Sequence, residues 1–310
     1  MKTQSYLDSE ASLKEHIKNF VTDFTTETTP FSAIKIDNFE NLLGEGRTVY
    51  VTFLPGSNYN DTVETAKRLK QEGLVPVPHI AARSVPSKCF LENALKRLTE
   101  EVGINEVLIV GGAVDHPVGC YSDSMQILET GLFDKYEITK IGVAGHPEGS
   151  PDITDQAISK ALIWKNKFSE RTNSKLYIVT QFCFEAEPII KWDRLIQAEG
   201  NKLPIRIGVP GIASLKTLIG YAKSCGVGPS IRFLTRQTKN FTKLVAQSAP
   251  DKQIIALARY WASDPACGLT GIHMYPLGGV KKSSEWINNV VRGNFKINGQ
   301  ADGFAVNIDH

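Results

Sequence analysis

Short runs of apolar and β-branched residues recur along the chain with helical patterns between them. They are FTTET (24–28), TVYVTFL (48–54), LVPVPHIA (74–81), EVLIVGG (106–112), ITKIGVAG (138–145), KLYIVTQF (175–182), PIRIGVPG (204–211) and GIHMYPLGG (271–279). Most are continuous rather than alternating, the pattern of parallel strands covered on both faces. The intervening segments carry apolar residues at three- and four-residue spacing. Asn60 or Asp61 is placed to cap TVETAKRLKQEG, which Gly73 ends, and CFLENALKRLTEEVG and SLKTLIGYAKSCG close on glycine in the same way. Strand and helix alternating through eight strands predict a (β/α)8 TIM-type barrel, with a doubly wound open sheet as the competing architecture. The interval from Gly211 to Gly271 is longer than the others and predicts extra helices before the last strand, around FTKLVAQ and DKQIIALARYWA. Residues 1–20 read as an N-terminal helix. With no internal repeat, low-complexity tract or linker, one barrel domain over 1–310 is expected.

Composition changes this picture little. The chain is 42% hydrophobic and 22% charged with a formal net charge of +2, so its average field favours neither nucleic acid nor an anionic membrane, and neither is expected as a partner. Five cysteines without a CxxC pair fit buried, reduced thiols of a cytoplasmic protein better than a disulfide framework or a zinc site. The polar N-terminus lacks the apolar core of a signal peptide, and no window approaches the ~20 apolar residues of a membrane span.

In such a barrel the chemistry sits at the C-terminal ends of the strands. The runs end on Glu27, Thr52, His79, Gly111-Gly112 followed by Asp115, His146-Pro147-Glu148, Gln181, Pro210-Gly211 and Leu277-Gly278-Gly279. A carboxylate, imidazoles, a carboxamide and a hydroxyl converging on one rim would make a polar pocket of the kind that holds a cofactor. Taken singly, His79, Gln181 and Thr52 read equally well as hydrogen-bonded structural groups. Glu27 resists that reading, because glutamate is depleted in strands and the first strand of a barrel has no exposed edge. Other chemistries find no support. The six histidines show no HExxH or HxH spacing, GGVKKSS (278–284) lacks the full phosphate-loop spacing, and no GxSxG elbow occurs.

The ordered set FTTETTP, YVTF, PVPHI, VLIVGG, IGVAGHPEG and YIVTQFCF resembles the methylenetetrahydrofolate reductase family, whose motifs read approximately SFEFFPP, SVTYG, PHLT, LALRGD, GYPEGHP and ITQFFFD. The similarity runs from about Asp23 to Trp286. It implies a (β/α)8 barrel that holds FAD and passes a hydride to the folate one-carbon unit, with NAD(P)H or another electron partner. Under the resemblance Glu27 is the catalytic acid that protonates the folate N10. Thr52, His79, Gly112, Ser122, Ala144, His146 and Lys167 fall on flavin-binding positions. Gln181, Asp115 and Leu277 fall on the substrate side, and no metal is implied. Lys167 borders a helical stripe of Ala157, Ala161, Trp164 and Phe168; alone it reads as a solvated flank, and the resemblance assigns it to the FAD diphosphate.

The departures from the family pattern are as informative. RGD becomes Gly111-Gly112-Ala113, with Asp115 two residues on as a substitute for the aspartate; the second histidine of the PEGHP motif is Ser150; and TLNR is replaced by PLGG. These changes fall beside the flavin, where charge and hydrogen bonds set its potential. Interconversion of 5,10-methylene- and 5-methyltetrahydrofolate is therefore expected in either direction, reductive for methionine biosynthesis or oxidative for one-carbon catabolism. Two rivals stay open, a proline-dehydrogenase-like flavoenzyme and a non-redox folate-binding or methyl-carrier module. A homo-oligomer is also left open.

Overall fold

The computed structural model describes residues 9–224 and 247–307. Eight strands close into a barrel: β1 (Thr25–Thr28), β2 (Thr48–Val51), β3 (Val75–Ala81), β4 (Glu106–Val110), β5 (Lys140–Gly145), β6 (Lys175–Phe182), β7 (Ile205–Pro210) and β8 (Leu269–Tyr275). They are ordered as in the chain, with β8 between β7 and β1, and the ladders from β1 to β5 and between β7 and β8 are parallel. The expected (β/α)8 architecture is the observed one, and the open sheet is excluded. One local irregularity has a chemical cause. β3 contains Pro76 and Pro78, which have no N–H to donate, and its ladder with β4 is confined to His79–Ala81.

The principal helices are α1 (Glu10–Val21), α2 (Tyr59–Gln71), α3 (Lys88–Val102), α4 (Asp155–Arg171), α5 (Ala186–Ala198), α6 (Leu215–Ser224), α7 (Asp251–Ser263) and α8 (Val280–Arg292). Within α1, Leu13, Ile17, Phe20 and Val21 form the buried face, and the Ser9 hydroxyl caps its start by accepting from Ser12 N at 3.1 Å. The cap of α2 is Asn58, whose side chain accepts from Asn60 N, rather than Asn60 or Asp61; the helix starts earlier because Tyr59 is drawn into an aromatic contact with Phe53 and Phe90. α3 runs from a Ser87 cap to Gly103 in the left-handed conformation. Of the helices expected before the last strand, α7 is present, and residues 241–246 of the FTKLVAQ segment lie outside the described residues. An antiparallel pair after α8, Phe295–Ile297 with Phe304–Val306, was not anticipated.

The chain groups into two compact units. One comprises Thr25–Gly145 and Ser159–Val179; the other comprises the chain up to Phe24, His146–Ile158 and the chain from Thr180. In the first, Tyr50, Val77, Leu108, Tyr177 and Val179 form a buried cluster. In the second, Phe182, Ala213, Leu215, Leu218 and Ala222 form another. There the buried Asp193 carboxylate accepts from Tyr260 Oη (2.7 Å), Gln197 Nε2 (3.0 Å) and Gly268 N (3.1 Å), tying α5 to α7 and to the approach of β8.

Among the described cysteines, Cys89 and Cys120 are exposed, Cys267 is half-buried and Cys183 is buried, all as free thiols. The expectation of burial holds for Cys183, whose thiol is pushed well above its usual pKa by desolvation, and fails for the two exposed residues. No described helix is long and apolar enough to cross a membrane.

Candidate functional site

Register decides where the strand-end residues point. Glu27 is level with Tyr50, Tyr50 with Val77, His79 with Leu108, and Leu108 with Gly142. Residues level on neighbouring strands share a face, and Tyr50, Val77 and Leu108 belong to the cluster that fills the barrel interior. Glu27, His79 and Ala144 therefore stand on the inward row. Thr52 continues it one step beyond β2, its N–H bonding to Thr28 O at 2.9 Å. Gly112 ends the row on β4 at φ +97°, where an added Cβ would come 3.3 Å from Ala81 Cβ. Glu27 itself is half-buried between the buried Thr26 and Thr28.

Beneath this row runs a hydrogen-bonded chain with a fixed direction. Tyr177 Oη donates to Glu106 Oε1 at 2.7 Å, and Lys140 Nζ approaches the same carboxylate to 3.0 Å. Tyr177 has one proton and has spent it, so the 2.7 Å contact between the two phenols is donated by Tyr50. The Tyr177 hydroxyl is held well above its usual pKa by burial, and further by Tyr50 and Glu106. It remains a donor, and the chain starts from Tyr50, whose Cα is level with that of Glu27. Nothing in the sequence points to this chain, because a continuous apolar run does not say which tyrosine faces inward.

At the corner after β3, residues Ala82–Ser84 form a short 3-10 turn. Arg83 N donates to Gly111 O at 2.9 Å, its Nη1 donates to Val114 O at 3.0 Å, and its Nε is buried without a hydrogen-bond partner. Sequence reasoning passed over this arginine. The available signal was its position four residues after His79, just past the end of β3. The Thr52 hydroxyl is a second buried polar atom without a partner.

Other candidates in this unit lie further out. Ser122 is exposed, with its N and Oγ held by Gln126 Oε1 at 2.7 and 3.2 Å; Asp115 and Lys167 are exposed as well. On α4 the expected stripe is displaced: Lys165 and Phe168 are buried, Trp164 is half-buried and Ala157 is exposed. Lys165 lies four residues after Ala161 and three before Phe168, so it falls on the stripe itself. Burial lowers its pKa to about 8, and Asp123 acts in the opposite direction.

In the other unit, His146 and Gln181 are half-buried at the ends of β5 and β6. Leu277 packs against the Phe182 and Leu218 cluster. Gly278 is required there by a close backbone approach, since a Cβ would fall 1.9 Å from Ile212 O. Among the described residues no group of three or more His, Cys, Asp or Glu side chains is placed to hold a metal ion.

These features define the class: a TIM-type barrel whose inward row ends in a carboxyl group and unpartnered polar atoms above a tyrosine-lined interior. The model of the methylenetetrahydrofolate reductase family matches residues 31–277, and the chain belongs to that family. Glu27 precedes the matched stretch, and Leu277 is its last residue. Methylenetetrahydrofolate reductase 1 of Schizosaccharomyces pombe is 29% identical over 157 residues, which cover 50% of this chain and 24% of that protein; the match thus spans about a quarter of the relative's length. An uncharacterized protein from Clostridium thermocellum that binds two copies of 5-methyl-5,6,7,8-tetrahydrofolic acid superimposes with a TM-score of 0.51 at 16% identity, covering 85% of this chain and 92% of its own. At that identity the likeness is one of fold.

The flavin implied by the family can be tested against the residues present. Leaving a buried donor unsatisfied costs roughly 1–3 kcal/mol, and Thr52 Oγ1 and Arg83 Nε are both in that position near the tops of β2 and β3. A cofactor rich in carbonyl, ring-nitrogen and phosphate acceptors supplies the partners they lack, so the donor set fits.

Proposed function

We propose that the chain is a FAD-dependent oxidoreductase that interconverts 5,10-methylenetetrahydrofolate and 5-methyltetrahydrofolate. The observation that carries this reading is the half-buried carboxyl group of Glu27 on the inward row of a barrel of this family, level with Tyr50. When bound, FAD supplies the hydride chemistry. Glu27 gives its proton to N10 of the folate, the bond from N10 to the bridging carbon breaks, and the resulting N5 iminium carbon is the hydride acceptor. In the oxidative direction the same group takes the proton back. A general acid for this step has to stay protonated near neutral pH, and partial removal from water is the environment that favours it.

In this reading Thr52, His79, Gly112, Ser122, Ala144, His146 and Lys167 contact the flavin, while Gln181, Asp115 and Leu277 meet the substrate. NAD(P)H or another donor exchanges electrons with it, and the protein works in the cytoplasm. The loss of an arginine and an aspartate at Gly111 and Ala113 alters the charge beside the flavin, which sets its potential, so this reading carries the oxidative direction together with the reductive one. The same loss supports the second reading, a folate-binding module without redox activity.

One experiment separates them. The visible spectrum of the purified protein, with and without added FAD, should show an oxidised flavin band near ~450 nm that bleaches on anaerobic addition of 5-methyltetrahydrofolate. A colourless protein that still binds folate would establish the module instead. Bleaching by proline but not by the folate would establish the proline-dehydrogenase-like rival. Glu27→Gln should keep the flavin and lose folate turnover by on the order of 10²–10⁴-fold; near-normal turnover would refute the assignment of the acid.

A further inference from the structure

Arg83 is a half-buried cation that the described protein leaves largely unanswered. Among the described residues no carboxylate pairs with it; its side chain makes one hydrogen bond, from Nη1 to Val114 O at 3.0 Å, and Nε is buried without a partner. Asp115, the nearest acidic residue along the β4 loop, is exposed and forms no ion pair with it. Desolvating a charged donor without an acceptor is costly, and such a group persists where a ligand completes it.

Its orientation says what kind of ligand. The Val114 carbonyl holds Nη1, so the guanidinium edge that carries Nε and Nη2 is the one left to bind. That edge faces Gly111: a Cβ built there would lie 3.6 Å from Nη2 and 4.0 Å from Nε, and a Cβ on Gly112 would lie 3.8 Å from Arg83 Cβ. No side chain at 111 stands in front of it. Two parallel N–H groups on a fixed planar fork match a charged oxygen or an oxygen–nitrogen edge. The backbone N–H of Arg83 bonds to Gly111 O, which fixes the turn at the glycine pair where the family pattern would place an arginine of its own.

We infer that Arg83 is an anion-binding residue at the top of β3 and that its ligand is a negatively charged oxygen or oxygen–nitrogen edge of the flavin cofactor, an inference that rests on the flavin reading above. The arginine absent from position 111 is thereby replaced from the neighbouring strand. Two parts of the cofactor carry suitable chemistry, the diphosphate and the N1–C2 carbonyl edge of the reduced ring, and they are distinguishable.

The test compares full-length wild type, Arg83→Met and Arg83→Lys as apoproteins. FAD and ADP are titrated by calorimetry, and the reduction potential of bound FAD is measured. Arg83→Met should weaken FAD binding on the order of 10- to 100-fold, with Arg83→Lys in between, since it keeps the charge and loses the fork. A parallel loss of ADP affinity would place the contact at the diphosphate. If the reduced form loses tenfold more affinity than the oxidised form, the potential falls by about 30 mV, which would place the contact at the ring edge. If Arg83→Met does not fold, Arg83→Lys decides: FAD binding weakened at least threefold supports the inference. Binding within twofold of wild type, at an unchanged potential, overturns it and leaves the flavin reading standing. A wild-type chain that takes up no FAD overturns both.

Discussion

Replacing Tyr177 with phenylalanine removes one oxygen from the barrel interior and should cost roughly 3 kcal/mol of stability. The residue is 6% exposed, its hydroxyl donates to Glu106 at 2.7 Å, and it accepts from Tyr50 at 2.7 Å. A hydrogen bond to a charged group is worth about 1.5–3 kcal/mol and one between neutral groups about 1 kcal/mol; the substitution loses one of each and creates almost no cavity. Tyr50→Phe loses only the neutral bond and should cost about 1 kcal/mol. In the double variant the shared bond is lost once rather than twice, so the two costs should fall short of additivity by about 1 kcal/mol. Urea unfolding of the four proteins at neutral pH, followed by circular dichroism, measures all three quantities, and an unchanged m-value would show that the denatured state is unaltered. If Tyr177→Phe costs under 1 kcal/mol, or less than Tyr50→Phe, the directed chain from Tyr50 through Tyr177 to Glu106 is wrong.

Two further perturbations read other parts of the interior. Gly142→Ala would set a Cβ 2.8 Å from Leu108 Cδ1 and 2.9 Å from Tyr177 Oη. It should cost about 1–3 kcal/mol by overpacking, visible as a lowered thermal midpoint, and an unchanged midpoint would mean that the barrel yields there freely. Lys165 has a folded pKa of about 8 against a reference value of 10.5. Between those values the unfolded chain holds the proton and the folded chain does not, so stability rises with pH through that window. Lys165→Met removes the dependence: without flavin it should be more stable than wild type by roughly 3 kcal/mol near neutrality, and the gap should close by about pH 10.5. A gap that stays constant across that range would contradict a buried ammonium.

The eight strand runs were legible because parallel strands covered on both faces are continuous apolar segments, and each observed barrel strand falls on its expected run to within a few residues. Glu27 was legible as an anomaly, a carboxylate in a strand that has no edge. On α4 the stripe counted from Ala157 is displaced, because Ala157 is exposed and Lys165 takes a buried place with Phe168; an offset of one residue, about 100° around the axis, is enough to turn another face inward. The cap of α2 was placed late because Asn58, Asn60 and Asp61 are all capable caps, and the choice was made by Tyr59 entering a contact with Phe53 and Phe90. Arg83 was passed over because an arginine after a strand has no periodic signature, and its meaning depends on the glycine pair it faces.

The sequence by itself determined the number and order of the barrel strands, the helices between most of them and the family motifs. All are local properties, set by periodicity and turn chemistry within a dozen or so residues. Only the tertiary structure decided which face of each strand points inward, that Tyr50 meets Tyr177 across 127 residues of chain, and that Arg83 stands against Gly111. A one-residue slip of register turns every side chain of a strand to the other face. The pairing of neighbouring strands and the closure of the barrel remove that freedom, and neither can be read from any single stretch of chain.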